Sequence, residues 1–71
     1  MEGVTTMNKF YSMLMQFSQG TTPSRTHLKR KFGEALIDEA LYLGYIIELR
    51  KNEFDDPIYA ITASGIEKRD N

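Results

Sequence analysis

Apolar residues recur at helical spacing near the start of the chain. Between Met7 and Phe17 they return every three or four positions, which is the spacing of one helical face. Thr5 or Thr6 can cap this first helix, because a threonine hydroxyl accepts a backbone N–H that the helix leaves unpaired. Gly20 stands where the helix should end. The pattern predicts a first helix with a wide apolar face.

A second, shorter helix is predicted between a turn and a glycine. It runs from Ser24 to Phe32 and has two apolar anchors, Leu28 and Phe32, four residues apart. Thr22 can be its N-cap with Pro23 in the first helical position, and Ser24 is the alternative cap. The short apolar face predicts a helix that depends on its neighbours for stability.

The third helix has the clearest pattern. It is expected from about Glu34 to Leu43, after a tight turn at Gly33 and before a left-handed stop at Gly44. Its predicted core face holds Leu36, Ile37, Ala40, Leu41 and Leu43. Its predicted outward face holds Ala35, Asp38, Glu39 and Tyr42.

A β-hairpin is predicted after Gly44, because apolar and polar residues then alternate with the period of a half-buried strand. One face of the strand would carry Tyr45, Ile47 and Leu49, and the other Ile46, Glu48 and Arg50. A polar loop follows from Lys51 to Pro57, and residues 58–61 return as the partner strand. Thr62 can cap a last helical turn that reaches Glu67.

Together these elements predict one α+β domain over residues 5–68, with flexible termini at 1–4 and 69–71. The expected architecture is a three-helix core with a two-stranded antiparallel β-hairpin. A chain of 71 residues buries only about 60% of its unfolded surface, so a second core is excluded. The predicted core contains Phe10, Leu14, Phe17, Leu28, Phe32, Leu36, Ile37, Ala40, Leu41, Ile47, Tyr59 and Ile61.

Composition narrows the classes of function. The chain has no cysteine, which leaves neither a disulfide framework nor a thiolate metal site. No apolar run approaches the roughly 20 residues needed to span a bilayer, and MEGVTTMNKF lacks the basic start and apolar stretch of a signal peptide. We therefore expect a cytoplasmic protein that does not bind a membrane.

The net charge of −1 hides a segregation of charge. Residues 25–31 hold four cations and no anion. Residues 34–48 hold no cation and four anions, which are Glu34, Asp38, Glu39 and Glu48. The second helix is therefore predicted to be basic, and the outward face of the third helix acidic.

The second half of the chain resembles the winged-helix (winged helix-turn-helix) superfamily, to which many small bacterial and archaeal transcription regulators belong. The likeness rests on Gly44-Tyr45-Ile46 after the third helix and on YAITASG, Tyr59 to Gly65. It covers roughly Thr6 to Lys68. The resemblance implies that the hairpin is a wing beside a three-helix core, and that the protein is a DNA-binding transcription regulator.

Two features depart from the winged-helix pattern. The connection between the second and third helices is short, since only Gly33 separates them. The outward N-terminal face of the third helix, with which the family typically reads DNA, here carries Glu34, Asp38 and Glu39 beside Ala35. Three carboxylates in the major groove would approach phosphates of the same sign.

The basic segment offers another way to bind double-stranded DNA. Phosphate contacts from the second helix and the wing would avoid the acidic face and would weaken with salt. The candidate residues are Arg25, Lys29, Arg30, Lys31, Arg50 and Lys51. The alternative interpretation is a solvated basic face that partly neutralises the third helix. Three acidic residues of the wing loop, Glu53, Asp55 and Asp56, would oppose DNA binding.

A protein-interaction module is the second hypothesis for function. It would use the acidic outward face of the third helix, the wing tip, or both, and its candidate residues are Glu34, Asp38, Glu39, Tyr42 and Phe54. Phe54 either folds back onto the sheet or is an exposed anchor, since aromatic residues are common interface hot spots. The acidic face is otherwise a solvated surface in which Glu34 and Asp38 favour the helix dipole.

We expect no catalytic, cofactor or metal site. His27 is the single histidine and has no cysteine or second histidine as a partner, and no glycine-rich phosphate loop is present. A homodimer would form through the first helix or the wings, with Met13 or Met15 lining a seam on the first helix. DNA binding is the first choice for function, and an unidentified protein is the alternative partner.

Overall fold

The fold, taken from a computed structural model that describes residues 8–70, combines four helices with one two-stranded antiparallel hairpin. The elements in chain order are α1 (Tyr11–Leu14), continued by a 3₁₀ helix (Met15–Gly20), α2 (Arg25–Phe32), α3 (Glu34–Leu43), β1 (Ile46–Lys51), β2 (Pro57–Ile61) and α4 (Ala63–Asp70). The α+β class and the hairpin are as predicted. Thr5, Thr6, Met7 and the predicted flexible ends at 1–4 and 71 lie outside the described residues.

The first helical region is less regular than its sequence pattern predicted. Only four residues are α-helical, and the chain then tightens into the 3₁₀ turns. The hydroxyls of Ser18 and Thr21 donate to the backbone carbonyls of Met15 and Gln16, at 3.1 and 2.7 Å. Hydroxyl side chains that bond nearby carbonyls compete with regular helix geometry, so the last turns differ from an α-helix.

The ends of α2 and α3 follow the predicted residues. The N-cap of α2 is Ser24, the alternative of the two predicted caps, and not Thr22; the Ser24 hydroxyl accepts from the His27 backbone N–H at 3.2 Å. Gly44 ends α3 in the left-handed region at φ 82°, which costs glycine nothing because it lacks a Cβ. The Tyr45 N–H then donates back to the Ala40 carbonyl at 2.9 Å, so β1 leaves α3 at a fixed angle.

One core lies between the helices and the hairpin. Seven predicted core residues are buried, and Phe32, Leu36, Leu41 and Ile61 are partly buried against them. The prediction for Ile47 was wrong, because its side chain is 49% exposed. Three buried hydrophobic residues were not predicted to be in the core: Met13, Ile46 and Ile58.

The error at Ile47 arises from the phase of β1. Alternation starts at Ile46, the first strand residue, and not at Tyr45, which still belongs to the turn after α3. Ile46 is therefore buried, opposite Ile61, and Ile47 faces outward opposite Ala60. Leu43, which was also assigned to the core face, is 44% exposed at the last position of α3.

The last helix is longer than the predicted turn. α4 continues past Glu67 and includes Arg69 and Asp70, the first two residues of the predicted C-terminal tail. Thr62 caps it as predicted, with its hydroxyl accepting from the Gly65 N–H at 3.0 Å. The Asn8 side-chain amide donates to the Lys68 carbonyl at 3.1 Å, which ties the helix to the start of the described chain.

Across residues 8–70, no helix combines the length and apolar character that crossing a membrane requires.

Candidate functional surface

Arg25, a predicted DNA contact, is instead committed to other side chains. Its Nη1 donates to the Tyr59 hydroxyl at 3.0 Å, and its Nη2 donates to the Asp38 carboxylate at 2.9 Å. The hydrogen bond to Tyr59, followed by the one to Asp38, raises the pKa of the Arg25 guanidinium above its ordinary value. Tyr59 is buried, so Arg25 joins α2 to both α3 and β2.

Every carboxylate on the outward face of α3 has a cation nearby. Glu34 lies 3.3 Å from the Lys29 ammonium and 4.0 Å from Arg25, and Asp38 pairs with Arg25. Glu39 pairs with Lys9 at 2.8 Å. The predicted acidic face is therefore a set of ion pairs with little excess charge.

The loop between β1 and β2, residues 52–56, was predicted to be the wing loop, and it uses most of its polar groups internally. The Asn52 side-chain oxygen accepts from the backbone N–H groups of Phe54 and Asp56, at 2.9 and 3.1 Å. Asp55, at φ 63°, donates its N–H to the Asn52 carbonyl at 3.0 Å. The loop therefore has a defined conformation, which asparagine at a turn favours.

Two of the three wing-loop carboxylates also have partners. Both oxygens of Asp56 accept from the Thr26 N–H at 3.3 Å, so Asp56 adds a second cap to the N-terminus of α2 beside Ser24. Asp55 lies 3.9 Å from the Lys51 ammonium. Ser24 also forms an isolated bridge with Ile58, and the Tyr59 N–H donates to Pro23 at 3.1 Å. The hairpin and the N-terminus of α2 are therefore joined by several contacts.

Three of the predicted DNA-binding cations lack an ion pair with any residue between 8 and 70: Arg30, Lys31 and Arg50. All three side chains are exposed. Arg30 and Lys31 lie in the last turn of α2, while the capping contacts with the wing loop lie at its first turn. The structure therefore divides the basic residues between two places and does not bring all six together.

Both aromatic candidates are strongly exposed. Tyr42 is 89% exposed on α3, as predicted, and Phe54 is 79% exposed in the loop between β1 and β2. The interpretation in which Phe54 folds back onto the sheet was therefore wrong. Phe54 lies between Glu53 and Asp55 on the loop that Asn52 organises.

Sequence reasoning missed the exposed aliphatic residues of the hairpin. Ile47 and Leu49 are 49% and 45% exposed, and Leu49 is the extra residue where the pairing shifts between Glu48 and Arg50. Their alternation in sequence was visible, but it fits either face of the sheet. The predicted dimer seam on the first helix is affected too. Met13 is fully buried and cannot line it, whereas Met15 is 42% exposed.

Two open grooves border α4. One is lined by Tyr11, Met15, Ser18, Arg69 and Asp70, and the other by Leu43, Tyr45, Ser64, Glu67 and Lys68. Within the described part of the chain, no three histidine, cysteine or carboxylate residues come together in a way that could hold a metal ion. Comparison of the chain with protein-family models, with curated proteins and with solved structures found no match.

Proposed function

We propose that this domain is a winged helix that binds another protein through an apolar surface on the last turn of α3 and on the hairpin. The winged-helix interpretation is supported by the order of elements, in which α1, α2 and α3 precede a hairpin that contributes Ile46 and Tyr59 to the same core. The Ser24–Ile58 bridge adds a short third extended segment to that hairpin.

The observation that carries the proposal is where the exposed apolar side chains lie. Seven large apolar residues are exposed among residues 8–70, and five of them fall between positions 42 and 54. We call these five the apolar surface: Tyr42, Leu43, Ile47, Leu49 and Phe54. An exposed apolar residue on its own is ordinary, whereas five of the seven within one stretch of the chain, from the end of α3 to the hairpin loop, favour an interaction site there.

Tyr42 and Phe54 are the strongest anchors of this surface. Aromatic side chains dominate interface energetics because they bury a large area while immobilising few torsions. Phe54 gains further from its loop, since the two hydrogen bonds to Asn52 hold the backbone before any partner binds. Holding a binding residue in place beforehand reduces the entropy cost of association.

The ion pairs change which part of α3 supports protein binding. Glu34, Asp38 and Glu39 have cations within 4.0 Å, so they offer a partner less negative charge than their sequence suggests. Exposed pairs of this kind contribute little to affinity. The proposal therefore rests on apolar contact through Tyr42 and the hairpin, with the charged pairs at the margin.

The test is affinity capture with matched variants of the full chain. Tyr42→Ala/Phe54→Ala should lower recovery of a specific bound protein by tenfold or more, since a hot-spot truncation costs about 2 kcal/mol or more. Ile66→Ala is the control, because Ile66 is 41% exposed on α4 and outside the apolar surface. A bound protein retained equally by both variants would contradict the proposal.

Double-stranded DNA is the second candidate partner, and the pairing of charges favours it. The α3 carboxylates and Asp55 each have a cation within 4.0 Å, while Arg30, Lys31 and Arg50 have no such partner among residues 8–70. Repulsion between the protein and phosphate is therefore weaker than a count of acidic residues suggests. Lys29 and Lys51 can exchange exposed carboxylate partners for phosphates.

A gel-shift series on random duplex DNA tests this second candidate. Four phosphate contacts would weaken binding on the order of 100-fold between about 50 and 200 mM salt. Lys29→Ala/Arg30→Ala/Lys31→Ala should abolish the shift, and Tyr42→Ala should leave it unchanged. Absence of any shift at the lowest salt would remove DNA as a candidate.

A further inference from the structure

We propose that His27 is a phosphate-binding residue, and that the affinity of the domain for double-stranded DNA therefore rises as the pH falls from about 8 to about 6. This inference rests on the second candidate function, binding of duplex DNA. It adds to the basic helix a contact that was not among the six predicted ones, and its charge depends on pH as that of an arginine or a lysine does not.

His27 shares one face of α2 with two of the unpaired cations, Arg30 and Lys31. Side chains three and four residues apart are neighbours on a helix surface, with Cβ atoms about 5–6 Å apart, and these three residues have that spacing within α2. All three are exposed, whereas Leu28 beside them is buried in the core. We call His27, Arg30 and Lys31 the basic face of α2.

The carboxylates of α3 lie on a different side of α2. None of the three residues of the basic face has an ion pair with any residue between 8 and 70. Glu34 and Asp38 of α3 pair instead with Lys29 and Arg25. From β2, the Tyr59 hydroxyl also contacts Arg25. The contacts of α2 with α3 and β2 therefore leave the basic face open to a ligand.

The loop between β1 and β2 is the other neighbour of α2, and it carries negative charge. Asp56 contacts the first turn, where its carboxylate accepts from the Thr26 N–H, so the positive end of the helix offsets part of its charge. Asp55 has an ammonium group 3.9 Å away, and Glu53 is exposed on the same loop. This negative charge opposes a phosphate most at the first turn, which is the end of α2 where His27 lies.

The charge of the basic face depends on pH through His27, the single histidine of the chain. Histidine is the side chain whose charge normally changes between about pH 5 and 8, while arginine and lysine stay charged over this range. The face therefore gains a third cation as the pH falls. The backbone of His27 is already held, because its N–H donates to the Ser24 hydroxyl at 3.2 Å.

The spacing of the basic face suits neighbouring phosphates of one DNA strand. From His27 to Lys31 the helix rises about 6 Å, and each strand of a duplex carries a phosphate about every 3.4 Å along its axis. A protonated imidazole can donate from both ring nitrogens, whereas the neutral ring donates from one. Its charge also strengthens each hydrogen bond to a phosphate oxygen. The protonated histidine is therefore the form that DNA favours.

Fluorescence anisotropy of the full chain with a random DNA duplex, at about pH 6 and about pH 8, tests the inference. Each added phosphate contact steepens the dependence of log affinity on log salt by about 0.9. The slope should be steeper by about this amount at the lower pH, and the affinity at about 50 mM salt should be on the order of tenfold higher there.

Three variants assign the effect to His27. His27→Gln should remove the change of slope and keep the affinity that the wild-type chain has at the higher pH. His27→Lys should have the steeper slope at both pH values. His27→Gln/Ser64→His is the matched control, since it keeps one histidine but places it at an exposed position of α4, and it should not restore the pH dependence. Circular dichroism establishes that each variant is folded.

The outcomes separate this inference from the DNA-binding candidate itself. If the wild-type chain binds DNA with the same slope at both pH values, or if His27→Gln keeps the wild-type change, the inference is overturned and DNA binding stands. Restoration of the pH dependence by the histidine on α4 would also overturn it. If the wild-type chain shows no binding at the lowest salt and the lower pH, the inference and the DNA-binding candidate both fall.

Discussion

At the scale of single residues, the Arg25 side chain connects α2 to both α3 and β2. Its guanidinium bonds to Tyr59 and Asp38 and lies 4.0 Å from Glu34, and only 24% of its side chain is exposed. The Tyr59 ring is buried in the core, so the arginine satisfies a hydroxyl that has little access to water. A residue predicted to bind DNA is thereby a structural one.

Arg25→Ala should lower the free energy of unfolding by about 1–3 kcal/mol, because it removes the partner of a buried polar group. Urea denaturation monitored by circular dichroism measures the change. Arg30→Ala is the control and should stay within about 0.5 kcal/mol, the usual range for an exposed position. Equal effects of the two substitutions would show that the Arg25 bonds add nothing to stability.

The sequence identified the chemistry of the site residues but not their pairing. Segregated charge in residues 25–31 and 34–48 was visible, and Ser24, Gly44 and Thr62 act as the caps that their residue types predicted. The ion pair between Lys9 and Glu39 spans thirty positions, and no periodicity within one helix can reveal a contact between two. The residue type of Asn52 could have predicted a loop of defined conformation, because asparagine favours turns.

At the scale of elements, the packing of α4 on β2 depends on one glycine. Gly65 is buried, and a Cβ there would overlap the Tyr45 carbonyl oxygen and lie 2.7 Å from Cγ1 of Ile61. Replacing glycine by alanine within a helix normally stabilises it by up to about 1 kcal/mol. At this position the helix backbone lies close to the Tyr45 carbonyl, so we expect alanine to lower the stability of the domain instead of raising it.

Gly65→Ala should therefore destabilise the domain by about 1–3 kcal/mol, the usual cost of overpacking. Thermal or urea unfolding measures the effect. Ser64→Ala, at an exposed position of the same helix, controls for helix propensity and should be neutral or slightly stabilising. A gain in stability from Gly65→Ala would mean that α4 does not lie against Tyr45.

The elements also show where sequence periodicity is sufficient and where it fails. The limits of α3 were predicted because an apolar face, Gly33 and Gly44 all agree on them. The sequence did not predict which residues of β1 face the core. Tyr45, Ile46 and Ile47 are all apolar, so either alternation of inward and outward residues fits them. The hydrogen bond from Tyr45 to Ala40 decides the phase, and it depends on how the helix ends.

At the scale of the whole molecule, the small core limits the stability of a single copy. A domain of this length is marginally stable on its own, and a partner that binds only the folded state adds to that stability. A protein that binds the apolar surface of the folded domain should therefore raise the stability of the domain as the concentration of that protein rises.

The cap that Asp56 places on α2 also bears on the order in which the chain folds. Thr26 emerges from the ribosome thirty residues before the carboxylate that accepts its N–H, and Arg25 emerges well before Tyr59. During synthesis α2 can be only a fraying turn, since short isolated helices are marginal in water. Contacts so distant in sequence slow the search for the native state. A nascent chain halted before residue 56 would therefore leave the basic helix unformed, and release of the hairpin would complete it.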